Sequence, residues 1–441
     1  MTATDVRGAP ENGVVDPIAD TLGREVLLVN HWHDDNKGDS AITIVTIALL
    51  RAALPGVRVH LASMLGPSDP ALGRAFRHVR SAFPAATTRA SFVPSLSTEG
   101  TPPSPLQALA WAVRVAGAGI RTAFRRPPRA LADAVDAADL VVVIGGSDLF
   151  DTGRRAPLST LRLLQCVLPV LVAKQRHTKY ILLGHTLGPV TTRLGRRLLA
   201  TVVRDAELTV VRESHSMELV RGQLGLDLGE RLKVAPDVAF ALEPISTDRV
   251  DALLDPFRTT RFAVLVPRAY HQGDARRDDH LVTEMVALGR AALDAGLVET
   301  VLVFPQCLGP TSVEDDRVIA TRIADSDPRF RLVDVDLSPG EVAEFYRHAT
   351  FLVAVRLHAL ILGLSVGTPV HGIEYFTNKT RGVFAEHGLD EHWSEFDAFD
   401  GVAALARVVE LLTPEKIEYL RHRADAMRAG VHALQLARLV A

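Results

Sequence analysis

Glu25-Val-Leu-Leu-Val-Asn30, the glycine-containing loop His31–Asp39, an apolar stretch from about Ser40 to Leu54, and Val57–Ser63 follow one another without a break. An apolar run bounded by polar residues reads as a buried strand, and the longer apolar stretch reads as a helix. Strand, loop, helix and strand is the βαβ unit of a parallel sheet. The same unit returns along the chain. Leu140–Ile144, Tyr180-Ile-Leu-Leu-Gly184, Leu208–Arg212 and Leu232–Ala235 read as further strands, each followed by polar or glycine residues. A second set begins at Phe262-Ala-Val-Leu-Val266 and continues with Val301–Phe304, Arg331–Val335, Phe351–Val355 and Pro369–Ile373. The pattern predicts two doubly wound, Rossmann-like α/β domains facing a cleft, with Leu242–Thr260 as the join. The predicted units are a disordered lead over residues 1–23, an N-terminal domain over 24–245 and a C-terminal domain over 255–441. The last helix is expected to pack back across the molecule. Phe83–Pro105 reads as a long surface loop.

Composition limits the function. The chain is 47% hydrophobic and 23% charged, the balance of a globular protein, and its formal net charge of −3 offers no global basic surface for nucleic acid. One local cluster, Arg121, Arg125, Arg126 and Arg129, stands out as either a lipid or polyanion contact or a solvated loop. Cys166 and Cys307 lie far apart in apolar stretches, so buried free thiols are expected. The first residues lack a basic region followed by an apolar one, which argues against a signal peptide and for a soluble protein in the cytoplasm.

In doubly wound sheets, ligands sit beyond the carboxyl ends of the strands. Six segments occupy such positions. Asn36-Lys37-Gly38-Asp39-Ser40 joins the first strand to its helix, where Gly38 permits a tight turn and Asp39 or Ser40 suits a helix cap. Gly145-Gly146-Ser147-Asp148 can bring exposed backbone amides against a ligand, or form a plain turn. Arg212-Glu213-Ser214-His215-Ser216 offers a planar cation beside a helix start, with Ser214 as a cap, or else a salt bridge from Arg212 to Glu213 or Asp237. His271-Gln272-Gly273-Asp274 follows Arg268 and reads as a substrate loop or a turn. Glu374–Thr380 carries Lys379 as a cationic anchor or an ordinary exposed lysine. Arg356-Leu357-His358-Ala359 is the strongest candidate. A titratable histidine between a buried strand and a buried helix suits proton transfer near neutral pH. Neither a zinc-protease helix motif, nor metal-ligand spacing, nor a serine-hydrolase elbow is present, so no metal is expected.

Taken in order, these segments resemble the polysaccharide pyruvyl transferase family from about residue 25 to 385. The resemblance rests on Asn36-x-Gly38-Asp39-x-Ala41-Ile42, Gly145-Gly146 with Asp148, Gly184-His-Thr-Leu-Gly188-Pro189, Arg212-Glu213-x-x-Ser216, Asp237-Val-Ala-Phe240, and Arg356-Leu-His358-Ala followed by Gly367-Thr-Pro369 and Lys379. Ser147 stands where the family often has a third glycine. The resemblance implies a fold like the B-type glycosyltransferases. It implies transfer of the pyruvyl group from phosphoenolpyruvate to a sugar as a ketal, with no cofactor. His358, Arg212 and Lys379 would be catalytic, with Arg356, Arg268 and the two N-terminal loops binding substrate. The expected partners are phosphoenolpyruvate and a sugar or glycan-lipid acceptor, the latter bringing peripheral membrane contact. A nucleotide-sugar glycosyltransferase using Glu374, or a non-catalytic binding protein, are the competing readings.

Overall fold

Valine, isoleucine and leucine fill the strands because each strand is covered on both faces, as parallel sheets require. Leu140–Ile144 and Phe262–Val266 are buried at every position. The computed structural model describes residues 23–96, 104–152, 156–270, 274–375, 379–434 and 436. The expected lead, through residue 22, and the turn at His271-Gln272-Gly273 lie outside the described residues.

Among the described residues, nine strands precede the join: β1 (Glu25–His31), β2 (Arg58–Ser63), β3 (Thr87–Arg89), β4 (Leu140–Ile144), β5 (Leu149–Asp151), β6 (Lys179–His185), β7 (Leu187–Val190), β8 (Leu208–Val211) and β9 (Leu232–Val234). Seven of them form a parallel sheet in the order β3-β2-β1-β4-β6-β8-β9, while β5 and β7 pair separately. Six strands follow: β10 (Phe262–Val266), β11 (Thr300–Val303), β12 (Phe330–Leu332), β13 (Phe351–Ala354), β14 (Val370–Glu374) and β15 (Trp393–Glu395). They form a second parallel sheet in the order β12-β11-β10-β13-β14-β15. In both sheets the order of strands reverses beside the first strand, which opens a crevice at the carboxyl ends of β1 and β4 and of β10 and β13. Two Rossmann-like α/β domains result.

Local readings needed correction. The stretch read as an unbroken loop contains β3, whose β-branched Thr87 and Thr88 pair with His60 and Leu61 of the sheet. The first helix begins at Lys37, not Ser40. Its N-cap is Asn36, whose side chain accepts the Gly38 N–H at 3.1 Å, and Asp39 instead accepts from Asn36 Nδ2 at 2.9 Å.

The β1 loop also meets the second sheet's loops. Asn36 bridges to Cys307, and the Leu308 N–H donates to the Asp35 carbonyl at 3.0 Å. The fully buried Lys37 ammonium pairs with Asp336, which Arg77 Nε also reaches at 2.6 Å. Two cations from one side thus converge on Asp336, and His78 Nε2 joins them at 3.2 Å. The last helix, Pro414–His432, lies against the Val238–Ala241 turn and the helix Leu357–Ser365. Cys166 and Cys307 are both buried free thiols, each pushed up to about 12 by burial.

Candidate active site

β8 ends at Val211 and delivers Arg212 into the crevice, where its guanidinium is almost fully enclosed. Every nitrogen is used. Nη1 donates to Asp237 at 2.5 Å, Nε to Thr186 Oγ1 at 2.7 Å, and Nη2 to Ser147 Oγ at 2.9 Å. The salt bridge to Asp237, one of the two readings open from the sequence, is therefore formed. The second partner of Asp237 comes from the other sheet. His358 Nε2 lies 3.6 Å from the same carboxylate oxygen that Arg212 holds. Burial pushes the Asp237 carboxyl up, but Arg212 and His358 outweigh it and hold the group well below the usual carboxylate range. A stable anion thus sits behind the imidazole. It faces the ring's Nε2, the place a carboxylate partner takes behind a proton-transferring histidine.

Gly38 explains how His358 fits. It sits in the first turn of the helix Lys37–Ala53, so the tight turn expected of it is not its role. A Cβ there would lie 2.2 Å from His358 Nδ1 and 2.4 Å from Cγ. The ring occupies the space that any other residue would fill. Gly38→Ala is therefore expected to displace the imidazole and lower kcat at least about tenfold, with a smaller effect on thermal stability than on rate. Parallel kcat and Tm measurements check this; an unchanged kcat would remove close packing from the explanation.

The glycines after β4 serve packing first. A Cβ on Gly145 would come within 2.4 Å of the carbonyl oxygens of Leu183 and Gly184, so this glycine lets β4 and β6 approach. Ser147 spends its hydroxyl on Arg212, and Asp148 pairs with Arg162 Nη2 at 3.0 Å. Ser214 is not the cap of its helix. Glu213 holds that position, accepting from Thr186 Oγ1 at 3.0 Å and from Ser216. Ser214 Oγ reaches across to Glu386 at 3.1 Å.

The second sheet supplies the remaining cations. Arg356 is clamped by Asp316, with Nε at 2.9 Å from one oxygen and Nη2 at 2.6 Å from the other, and Nη2 also holds the Glu314 carbonyl at 2.8 Å. That bidentate pair ties the strand end to the 307–316 loop. Arg268 stacks 4.3 Å over the Tyr375 ring and donates to its hydroxyl, while its Nε is buried without a protein partner among the described residues. Lys379 opens the helix Lys379–Glu386 and is half-buried. Burial, with Arg212 and Arg268 nearby, pushes its ammonium down to about 7 against the opposing pull of Asp148 and Glu213. Asp39 faces the same crevice. Burial and like charge from Asp148 and Glu314 push its carboxyl far up, opposed by Arg356 and Arg212.

The structure thus gathers Arg212, His358, Lys379, Asp39, Ser147 and Asp148 from five strand ends. Four residues of this site were not singled out as ligands from the sequence: Asp237, Thr186, Glu314 and Asp316. Pro236-Asp237 at a strand end was the available signal for the first. Glu374, the carboxylate a ribose would need, accepts the Arg381 N–H at 3.0 Å and so helps start a helix.

Residues 36–377 match the family described as polysaccharide pyruvyl transferase. The chain belongs to that family. Of Arg212, His358, Lys379, Asp39, Ser147 and Asp148, the match covers all but Lys379, which lies just beyond it. Amylovoran biosynthesis protein AmsJ of Erwinia amylovora is 24% identical over 281 residues, 61% of this chain and 64% of that protein. The chain therefore covers less than two thirds of this relative's length. Among solved structures, a putative UDP-N-acetylglucosamine 2-epimerase from Listeria monocytogenes has a TM-score of 0.55 at 13% identity, over 90% of each chain. Phytolacca americana UGT2, complexed with UDP-2fluoro-glucose and pterostilbene, has a TM-score of 0.55 at 12% identity over 95% of this chain and 98% of its own. These likenesses establish the fold, that of the B-type glycosyltransferases, and nothing about the ligand.

Proposed function

We propose that this chain transfers the pyruvyl group of phosphoenolpyruvate to two hydroxyls of one sugar in a polysaccharide or glycan precursor, closing a ketal and releasing phosphate. One observation carries the reading: His358, backed by Asp237, shares a crevice with Arg212, Arg268 and Lys379. The donor is a small anion with a phosphate and a carboxylate, and it needs fixed cations around a proton donor. Lys379 and Arg268 take the two anionic groups. Protonated His358 gives its proton to the methylene carbon, which makes C2 electrophilic. A sugar hydroxyl adds to C2 and returns its proton to His358. Phosphate then leaves, stabilised by the cations, and the neighbouring hydroxyl closes the ring as its proton passes to the departing phosphate. Asp237 supports both states of His358 because it stays ionised throughout. Nδ1, on the Gly38 side, is the nitrogen assigned to the substrate, since Nε2 faces Asp237.

Incubation with phosphoenolpyruvate and a set of glycan acceptors tests the proposal. Acceptor-dependent phosphate release, with the mass gain of a pyruvyl ketal on the acceptor, is expected. Transfer from a nucleotide sugar with no phosphate release from phosphoenolpyruvate would replace this reading with glycosyl transfer.

Lys379 adds a pH signature. With its ammonium held near 7, the charged form prevails only below that value. Phosphoenolpyruvate affinity should fall by up to about tenfold per pH unit as pH rises above 7, since the anion binds the charged form. Calorimetric titration from pH 7 to 9 measures this, and Lys379→Gln should flatten the profile. A wild-type profile as flat as the variant's would take Lys379 out of the donor site.

A further inference from the structure

The arginine cluster noted in the sequence begins on a helix with two unlike apolar faces. In the helix Pro105–Ala123, Trp111, Val115, Ala118 and Thr122 are buried, and the helix packs on Ala156–Arg176. Leu106, Leu109, Val113, Ile120 and the cap residue Phe124 point the other way. At about 100° per residue they fall within an arc of roughly 60°. Each is between 61% and 79% exposed. A row of five large apolar side chains is costly to leave in water.

The surroundings of that row specify its partner. Arg114 and Arg121 line one flank of it, and Arg125, Arg126 and Arg129 continue past its end, all of them exposed. No aspartate or glutamate occurs between residues 104 and 132. Apolar side chains beside arginines, on a helix whose opposite face is anchored to the protein, match the interface of an anionic bilayer. Among the described residues no helix is long and apolar enough to cross a membrane, so this helix lies on the surface rather than through it. A second copy of the chain is a poorer fit, because the same segment brings five more arginines and no carboxylate to answer them.

We propose that Pro105–Ala123 docks the protein on an anionic lipid surface. The Leu106–Phe124 row enters the acyl boundary and the arginines lie among lipid phosphates. The assignment is independent of the reaction catalysed in the crevice.

Co-sedimentation with phosphatidylcholine vesicles, with and without phosphatidylglycerol, tests it on the full chain. Binding to the anionic vesicles is expected to exceed binding to neutral ones by about tenfold or more, and to weaken as salt rises. Leu109→Glu/Val113→Glu should abolish the binding, and Arg121→Glu/Arg125→Glu should reduce it about tenfold or more. All four side chains are exposed, so an unchanged Tm separates lost docking from lost folding. Failure to partition onto anionic vesicles would overturn the proposal, as would full binding by the Leu109→Glu/Val113→Glu variant. Conversion of a dimer to a monomer by that variant, with vesicle binding intact, would give the face to a second copy instead.

Discussion

His358→Ala is expected to lower kcat by about a hundredfold to ten-thousandfold, the range of a general acid–base group, while phosphoenolpyruvate affinity stays within about threefold. The asymmetry follows from the geometry. The imidazole's ion-pair contact is with Asp237, at 3.6 Å, and its side chain is 16% exposed. Removing it leaves Asp237 paired with Arg212, so no buried charge is orphaned and little stability is lost. The cations assigned to the donor also stay in place. Steady-state kinetics and calorimetric titration of the same preparation test both halves. A kcat within tenfold of wild type would end the role of His358 in proton transfer. A matching loss of affinity would recast it as a binding residue.

Arg212→Ala is expected to act more broadly. The guanidinium is almost fully buried and holds three side chains from three strand ends. Without it the Asp237 carboxylate remains buried with its main counter-charge gone, a loss typically of about 3–5 kcal/mol. The pH dependence has a definite sign. Asp237 is held below its unfolded value, so the pair's contribution is present above about pH 4 and is lost as pH falls. In the variant the carboxyl rises, so the stability gap from wild type should be largest near neutrality and should narrow in acid. Urea unfolding at several pH values measures it. Activity should fall too, because His358 loses an ionised partner. Arg212→Lys keeps the charge but not the three-way fork, and is expected to recover more stability than activity. A pH-independent gap would mean that Asp237 is not the group left stranded.

Several of these statements rest on residues that the sequence already marked. His358 and Arg212 stood out because titratable or charged groups seldom sit between two apolar segments by packing alone. The order of strands and loops was equally legible, since parallel sheets demand continuous apolar runs and leave polar residues at their ends. β3 was lost among Ser, Thr and Pro because a three-residue edge strand carries too little periodicity to read. The N-caps were misassigned for a related reason. Asn36, Asp39 and Ser40 all suit a cap, and only the backbone conformation at residue 36 selects among them.

What the sequence determined by itself was the architecture, two wound sheets, and the strand ends where polar and charged residues gather. Local periodicity carries that information, because each strand and helix must bury its own apolar face. Pairing across the crevice was decided only in three dimensions. Gly38 and His358 are 320 positions apart, yet the imidazole rests where a Cβ of residue 38 would be. Asp237 belongs to both Arg212 and His358, and Arg356 is committed to Asp316. Such partnerships depend on how one sheet's loops meet the other's. No pattern within a single segment encodes that meeting, because the free energy of burying a charge depends on which opposite charge is buried beside it.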